Sequence, residues 1–321
     1  MTTMFRRFIV FFAVFVTAIA SGSARAETSD VSTRYMDVDG IRIFYREAGV
    51  VTAPTILLLH GFPSSSHMFR TLIPKLSERF HVIAPDYPGM GFSDAPPESR
   101  FPATFDGVAS VMERFVEQMK IRHAVLYEQD FGGPVGMRLA LHHPERVDGL
   151  AIQNTPISLD GWNPERLNAI LANQKLPPEQ RRRETEKRVA PATVEFLYHQ
   201  GTRHPEALDP ASWAVDEWVM RDAERVRVMT SLQLDIPSNF SQYPVWQAYL
   251  AKYQPKTLVV WGVGDPIFTR AGADAVKRFV PAADVRYYPT GHFALEEDAE
   301  DIAGQIVRTF ATNTRNPDGN D

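Results

Sequence analysis

The stretch Val125-Leu126-Tyr127-Glu128-Gln129-Asp130-Phe131-Gly132-Gly133 leaves the backbone few choices. β-favouring residues run into a polar residue, two glycines follow, and helical spacing begins at once. That order predicts a strand, a sharp turn and a helix, an arrangement that lifts the turn residue above the edge of a sheet. The residue lifted here is Asp130. A serine in that place would point to acyl transfer. A carboxylate instead attacks an sp³ carbon and is left as an ester.

The rest of the chain supplies the sheet. Arg34 to Val38 and Ile41 to Glu47 alternate around Asp39-Gly40, a hairpin signal. Thr55 to Leu59 is a continuous apolar run, as expected of a strand buried on both faces. Met68 to Arg79 has helical spacing, and His81 to Pro85 reads as another buried strand. Phe105 to Lys120 is amphipathic, with Val108, Val111, Met112 and Phe115 on its apolar side. A helix from Gly132 to His143 and a strand from Val147 to Gln153 follow. Strands alternating with helices predict an α/β fold with a mostly parallel central sheet and helices on both faces.

From Pro156 to about Gln247 that rhythm breaks. The segment holds four of the five tryptophans, several prolines and a charge run from Arg181 to Arg188, but no buried-strand signal. Rhythm resumes with a strand at Thr257 to Trp261, a helix through Phe279, a strand from Asp284 to Tyr288 and a last helix from Ala299 to Phe310. The expectation is a core of residues 27–155 and 248–321, interrupted by a helical lid of residues 156–247. Arg181-Arg182-Arg183 and the neighbouring glutamates read as a solvated helix face.

Residues 1–26 stand apart. Arg6 and Arg7 precede an apolar run from Phe8 to Ala20 and a Ser-Ala-Arg-Ala end, the pattern of a secretory signal peptide cut after Ala26. The run is shorter than the roughly 20 residues of a bilayer span. Cleavage would remove Arg6, Arg7 and Arg25 and no acid, taking the formal charge from −5 to −8. That balance offers no basic surface to nucleic acid. The chain has no cysteine, which excludes disulfides and thiolate metal sites and suits an exported, periplasmic protein.

Three residues follow strand ends that such a sheet would bring to one edge: Asp130, Asp265 after Trp261-Gly262-Val263-Gly264, and His292 after Pro289-Thr290-Gly291. Taken singly, each aspartate could be a cap or turn residue and the histidine a structural one. Their order and spacing together argue for a nucleophile, an orienting acid and a base. A fourth element is His60-Gly61-Phe62-Pro63 after the buried strand Thr55 to Leu59. The backbone N–H groups of Phe62 and Phe131 are expected to form an oxyanion hole.

Through His60 to Pro63, Asp86 to Asp94 (DYPGMGFSD), Gln129 to Gly133, Gly264 to Phe268 and Gly291 to Glu297, the chain resembles α/β-hydrolases of the epoxide hydrolase and haloalkane dehalogenase group. The resemblance covers the whole sequence after residue 26. It implies attack by Asp130 on a small apolar organic substrate, then hydrolysis of the ester by water that His292 activates with Asp265 behind it. It implies no cofactor and no metal.

Two chemistries remain open in the residues. Dehalogenases of this group use side-chain N–H donors for the halide, whereas Phe131 and Phe62 have none to give. Epoxide hydrolases use two lid tyrosines as acids, for which Tyr198 and Tyr243 are candidates beside a plain packing role. Tyr249 and Tyr253 read as structural. Glu128, two residues before the nucleophile, is an unusual neighbour expected to face away from it. The sequence therefore favours an epoxide hydrolase, with a dehalogenase as alternative and a ligand-binding protein of this fold as a third.

Overall fold

A computed structural model of the protein describes residues 30–311, so the expected signal peptide, residues 1–26, lies outside the described residues. Eight strands form one sheet: β1 (Ser32–Val38), β2 (Ile41–Ala48), β3 (Thr55–Leu59), β4 (His81–Pro85), β5 (Ala124–Gln129), β6 (Val147–Gln153), β7 (Thr257–Gly262) and β8 (Asp284–Tyr288). Their order is β1-β2-β4-β3-β5-β6-β7-β8. The β1–β2 hairpin turns at Asp39 and Gly40, which both have positive φ, 51° and 75°. β1 with β2 and β2 with β4 pair antiparallel at one edge, and β4–β3, β3–β5, β5–β6, β6–β7 and β7–β8 are parallel.

The sheet reverses direction of growth at β3, which has β4 on one side and β5 on the other. In open α/β sheets the crevice at such a point, beyond the carboxyl ends of the strands, is where ligands bind. The strands on either side of it are apolar throughout because both faces are covered. Leu57, Leu58, Leu59, Val82, Ile83, Leu150, Ile152, Val259 and Val260 are all buried.

The helices are α1 (Ile73–Leu76), α2 (Phe105–Gln118), α3 (Gly132–His142), α4 (Pro164–Asn173), α5 (Pro178–Glu186), α6 (Pro191–His199), α7 (Ala211–Val219), α8 (Ala223–Tyr253), α9 (Arg270–Phe279) and α10 (Leu295–Phe310). Among the described residues, the segment between β6 and β7 contains helices and no strand. It closes with the 31-residue α8, which carries Pro237 and Pro244 internally and runs past the boundary expected at Gln247. Lid and core are stitched together at specific points. Asp235 of α8 accepts the Phe105 N–H at the start of α2 at 2.8 Å, where a helix N-terminus favours a carboxylate. Asn239 of α8 accepts from the Arg138 guanidinium of α3 at 2.9 Å.

Two expected helices differ in the structure. Met68 to Arg79 is a 3₁₀ turn at Ser66–Phe69 followed by the single turn α1, because Pro74 has no N–H and fits only a first turn. The last helix begins at Leu295, four residues early, and is broken by non-helical backbone at Asp298 (φ −126°, ψ 18°).

A tight backbone contact lies under the turn after β5. A Cβ built on Gly132 would stand 2.1 Å from the Leu59 carbonyl oxygen of β3. Gly132→Ala should therefore push α3 off the sheet and destabilise the protein by about 2 kcal/mol or more, as overpacking does. Urea denaturation of the variant beside wild type checks this; an unchanged midpoint would refute it.

Candidate active site

Asp130 stands at the carboxyl end of β5 with φ +49°, a left-handed conformation rare outside glycine. Its neighbours must be small for it to stay there. A Cβ on Gly61 would sit 2.3 Å from the Asp130 Cβ, and one on Gly133 would sit 2.1 Å from the Thr155 hydroxyl oxygen. That hydroxyl donates to the Asp130 carbonyl at 2.9 Å, fixing the turn from the side of β6. The elbow is thus shaped by contacts from two neighbouring strand ends.

The carboxylate oxygens of Asp130 differ. Oδ1 accepts the Phe62 N–H at 2.7 Å, and the Phe131 N–H also bonds the carboxylate. The peptide between Phe62 and Pro63 is cis. Oδ2 lies 3.9 Å from His292 Nε2, and among the described residues no hydrogen bond reaches it. Oδ2 is therefore the oxygen free to attack. Oδ1 sits where an oxyanion would develop when water adds to the ester. Burial raises the Asp130 pKa, opposed by His292 and the two N–H groups.

His292 follows β8 and is buried. Its Nδ1–H donates to Asp265 Oδ2 at 2.8 Å, so the neutral ring presents the lone pair of Nε2 toward Asp130. Burial alone would lower the imidazole pKa, but the charge and hydrogen bond of Asp265 outweigh it and Asp130 adds to them, leaving it raised. Asp265, after β7, is held in turn: Asn154 Nδ2 donates to its Oδ2 at 2.8 Å and the Ile267 N–H to its Oδ1 at 2.7 Å. The three residues read from sequence as one constellation meet at one sheet edge.

Two positioning residues escaped the sequence reading. Asn154, just past β6, clamps Gly262 through both ends of its amide while it holds Asp265. Gln129, the last residue of β5, donates from Nε2 to His292 Nε2 at 2.9 Å. A polar residue at a buried strand end was the only available signal for either.

His60 has no acid–base part. Burial lowers its pKa to about 4, its Nδ1 bonds the Gly61 carbonyl, and its Nε2 accepts the Tyr87 N–H. Glu128 is buried on β5 against α3, where a Cβ on Gly136 would stand 2.2 Å from its Oε1. Burial raises its pKa well above the carboxylate range, so it is a neutral acid facing away from the nucleophile.

A cavity of about 280 Å³ opens above Asp130 and His292. Phe62, Phe105, Phe131 and Phe268 make much of its wall. Tyr243 lines it, and its hydroxyl accepts the Trp162 indole N–H at 2.8 Å. Burial raises the pKa of that hydroxyl, which keeps its proton. Tyr198 is not among the lining residues. Its ring stacks on Phe293 at 4.1 Å and its hydroxyl donates to Asp216 at 2.9 Å, so it braces the lid beside His292. Of the two tyrosines considered as acids, the cavity receives one. It also receives Arg166 and Arg188, which the sequence reading did not single out.

A family profile described as the alpha/beta hydrolase fold matches residues 54–299. The chain is 38% identical over 287 residues to an uncharacterized hydrolase of Saccharomyces cerevisiae, YNR064C, covering 86% of this chain and 95% of that protein. It is 29% identical to haloalkane dehalogenase 2 of Mycobacterium tuberculosis, over 87% of this chain and 94% of that one. Among solved structures, haloalkane dehalogenase DbeA from Bradyrhizobium elkani superposes with a TM-score of 0.75 at 22% identity, covering 88% of this chain and 98% of that one. Cfl2 from Burkholderia cenocepacia does so with a TM-score of 0.70 at 22% identity, covering 89% and 97%.

Two pH effects follow from the geometry. Base catalysis needs neutral His292, so single-turnover decay of an Asp130 ester should lose rate as pH falls through a pKa above 6.5. Asp265→Asn should move that limb to lower pH and slow decay by at least about 10²-fold; an unmoved limb would refute the assignment. Glu128, with its raised pKa, contributes stability below the usual carboxylate range that is lost as pH rises. Glu128→Gln should therefore gain stability over wild type in urea melts at pH 8 relative to pH 4.5, and a gain equal at both would contradict the buried neutral acid.

Proposed function

The chain belongs to the α/β-hydrolase fold family, and on that footing we propose that it opens epoxides through a covalent ester on Asp130. Asp130 Oδ2 attacks an epoxide carbon, the C–O bond breaks, and its electron pair stays on the oxygen, which takes a proton from Tyr243. Water then displaces the Gln129 amide from His292 Nε2 and gives up a proton there while it adds to the Asp130 carbonyl carbon. The Phe62 and Phe131 N–H groups hold the oxyanion that forms on Oδ1. Its collapse releases the diol, and the proton on His292 returns to Tyr243. Epoxide plus water gives diol, with nothing else consumed.

The observation that carries this reading is the Tyr243 hydroxyl. Because it accepts from Trp162, its own proton is free to point into the cavity that Asp130 and His292 also line. A halide would need N–H donors instead, and the Trp162 indole is already committed to Tyr243.

Carbon–halogen cleavage by the same two steps is the second reading. It is favoured by the dehalogenase names of the relatives and by two amides: Gln233 and Asn239 line the cavity, and among the described residues neither side-chain NH₂ has an acceptor. In that reading the leaving group departs as halide and needs no proton.

Intact mass spectrometry of His292→Gln, treated separately with pooled epoxides and pooled alkyl bromides, separates the two. Losing the base should trap the ester, and a mass gain equal to a whole epoxide on Asp130 is expected. A gain equal to an alkyl group, from bromides alone, would replace the first reading with the second. Tyr243→Phe should cut kcat/KM on epoxides about 10²-fold, the scale of a lost general acid.

A further inference from the structure

The cavity has a charged ceiling as well as a charged floor. Arg166 of α4 and Arg188, two residues beyond α5, both line it and both are half-buried. Among the described residues no carboxylate lies within ion-pair distance of either guanidinium. Among the described residues the Arg166 side chain has no hydrogen-bond partner. Arg188 makes one, from its Nη2 to the Thr185 hydroxyl at 3.3 Å, while its Nε is buried with none. Glu184, four residues before Arg188, is taken by Lys187 at 2.8 and 2.9 Å. Arg188 also borders a surface hollow of about 340 Å³ that Glu184 shares.

Two guanidiniums facing one apolar-walled cavity repel each other, and removing each from water costs free energy that only an opposite charge recovers. The effect is visible on Arg166, whose pKa is lowered to about 10 by burial and then by Arg188, with Asp130 opposing. It remains a cation at neutral pH. Glu184 acts on Arg188 and Asp130 on Arg166 only from beyond ion-pair distance, so neither completes a pair. A direct Arg166 contact to Asp130 would stabilise the carboxylate and blunt the nucleophile, and no such contact is made.

We infer that the natural substrate carries a carboxylate, held under the lid by Arg166 and Arg188, with its reactive carbon directed down to Asp130. Guanidiniums match a planar carboxylate through paired N–H donors. The cavity volume limits the molecule to a small one, a short epoxy-carboxylate if the epoxide reading above holds. The carboxylate end and the reactive end would then be distinguished by charge alone, because the floor is acidic and the ceiling basic.

The test separates binding from turnover. Butyrate, which cannot react, is titrated calorimetrically into wild-type enzyme beside butyramide and inorganic phosphate. Butyrate should bind at least about tenfold more tightly than butyramide, the scale of one charge-assisted hydrogen bond. Arg166→Gln and Arg188→Gln should each abolish that preference, whereas Arg183→Gln, on the outer face of α5, should keep it. Equal binding of butyrate and butyramide by wild type overturns the inference whether or not the variants fold. Preference for phosphate over butyrate overturns the carboxylate assignment. If butyrate binds through the arginines while no epoxide labels Asp130, the epoxide reading fails and the anion site stands. If epoxides label Asp130 and butyrate shows no preference, the inference fails alone. With both in place, kcat/KM for a short epoxy-carboxylate should exceed that for its amide by at least tenfold.

Discussion

The left-handed backbone of Asp130 is the constraint on which the rest of the site depends. Such a conformation costs an ordinary side chain about 1–3 kcal/mol and persists only where its surroundings over-determine it. Here they do so from the two neighbouring strands, β3 and β6. Gly61 after β3 comes close enough to touch the Asp130 Cβ, Thr155 after β6 grips its carbonyl, and Gly132 lets α3 lean on the Leu59 carbonyl. The same approach that bends the chain also delivers the Phe62 N–H to Oδ1. Strain and oxyanion hole are one piece of geometry. Any movement of the Phe62–Pro63 loop loosens both together.

How much of this was legible depends on what each residue answers to. Strands β3, β4 and β6 begin and end where the expected runs do, because both faces of a central strand must be apolar. The catalytic residues were visible for a related reason. Each follows such a run, so the sheet itself carries them to one edge. What the pattern hid was everything set by tertiary contact. The helical spacing of Met68 to Arg79 is real, but Pro74 confines it to one turn. Tyr198 and Tyr243 look alike in sequence and differ only in where the lid folds. One ring is captured by Phe293 and the other by Trp162 and the cavity.

The arginines show the same limit more sharply. Arg188 closes a charge run that reads as solvated, and Arg183 within that run is indeed exposed. Five residues from that solvated guanidinium, the turn after α5 swings Arg188 over the cavity instead. Arg166 follows a helix start signal at Asn163-Pro164 that says nothing of which face will be covered. Lid residues take their roles from docking onto the core, so composition and period cannot assign them.

Three buried carboxyl groups lie within a few residues of one another in space or sequence, and their environments make them three different things. Asp265 receives the Asn154 amide, the Ile267 N–H and the His292 Nδ1–H, so its charge is fully partnered and has nothing left for a substrate. Glu128 Oε1 is buried with no partner and burial raises its pKa, which leaves it a packing group under α3. Asp130 is held between these extremes. One oxygen is satisfied by backbone N–H groups, which keeps the charge, and the other is left bare toward the cavity. Nucleophilicity comes from that asymmetry: a carboxylate solvated on both oxygens would attack poorly, and one solvated on neither would be protonated. Arg166 adds to the balance at a distance, favouring an ionised Asp130 without occupying the oxygen that must react.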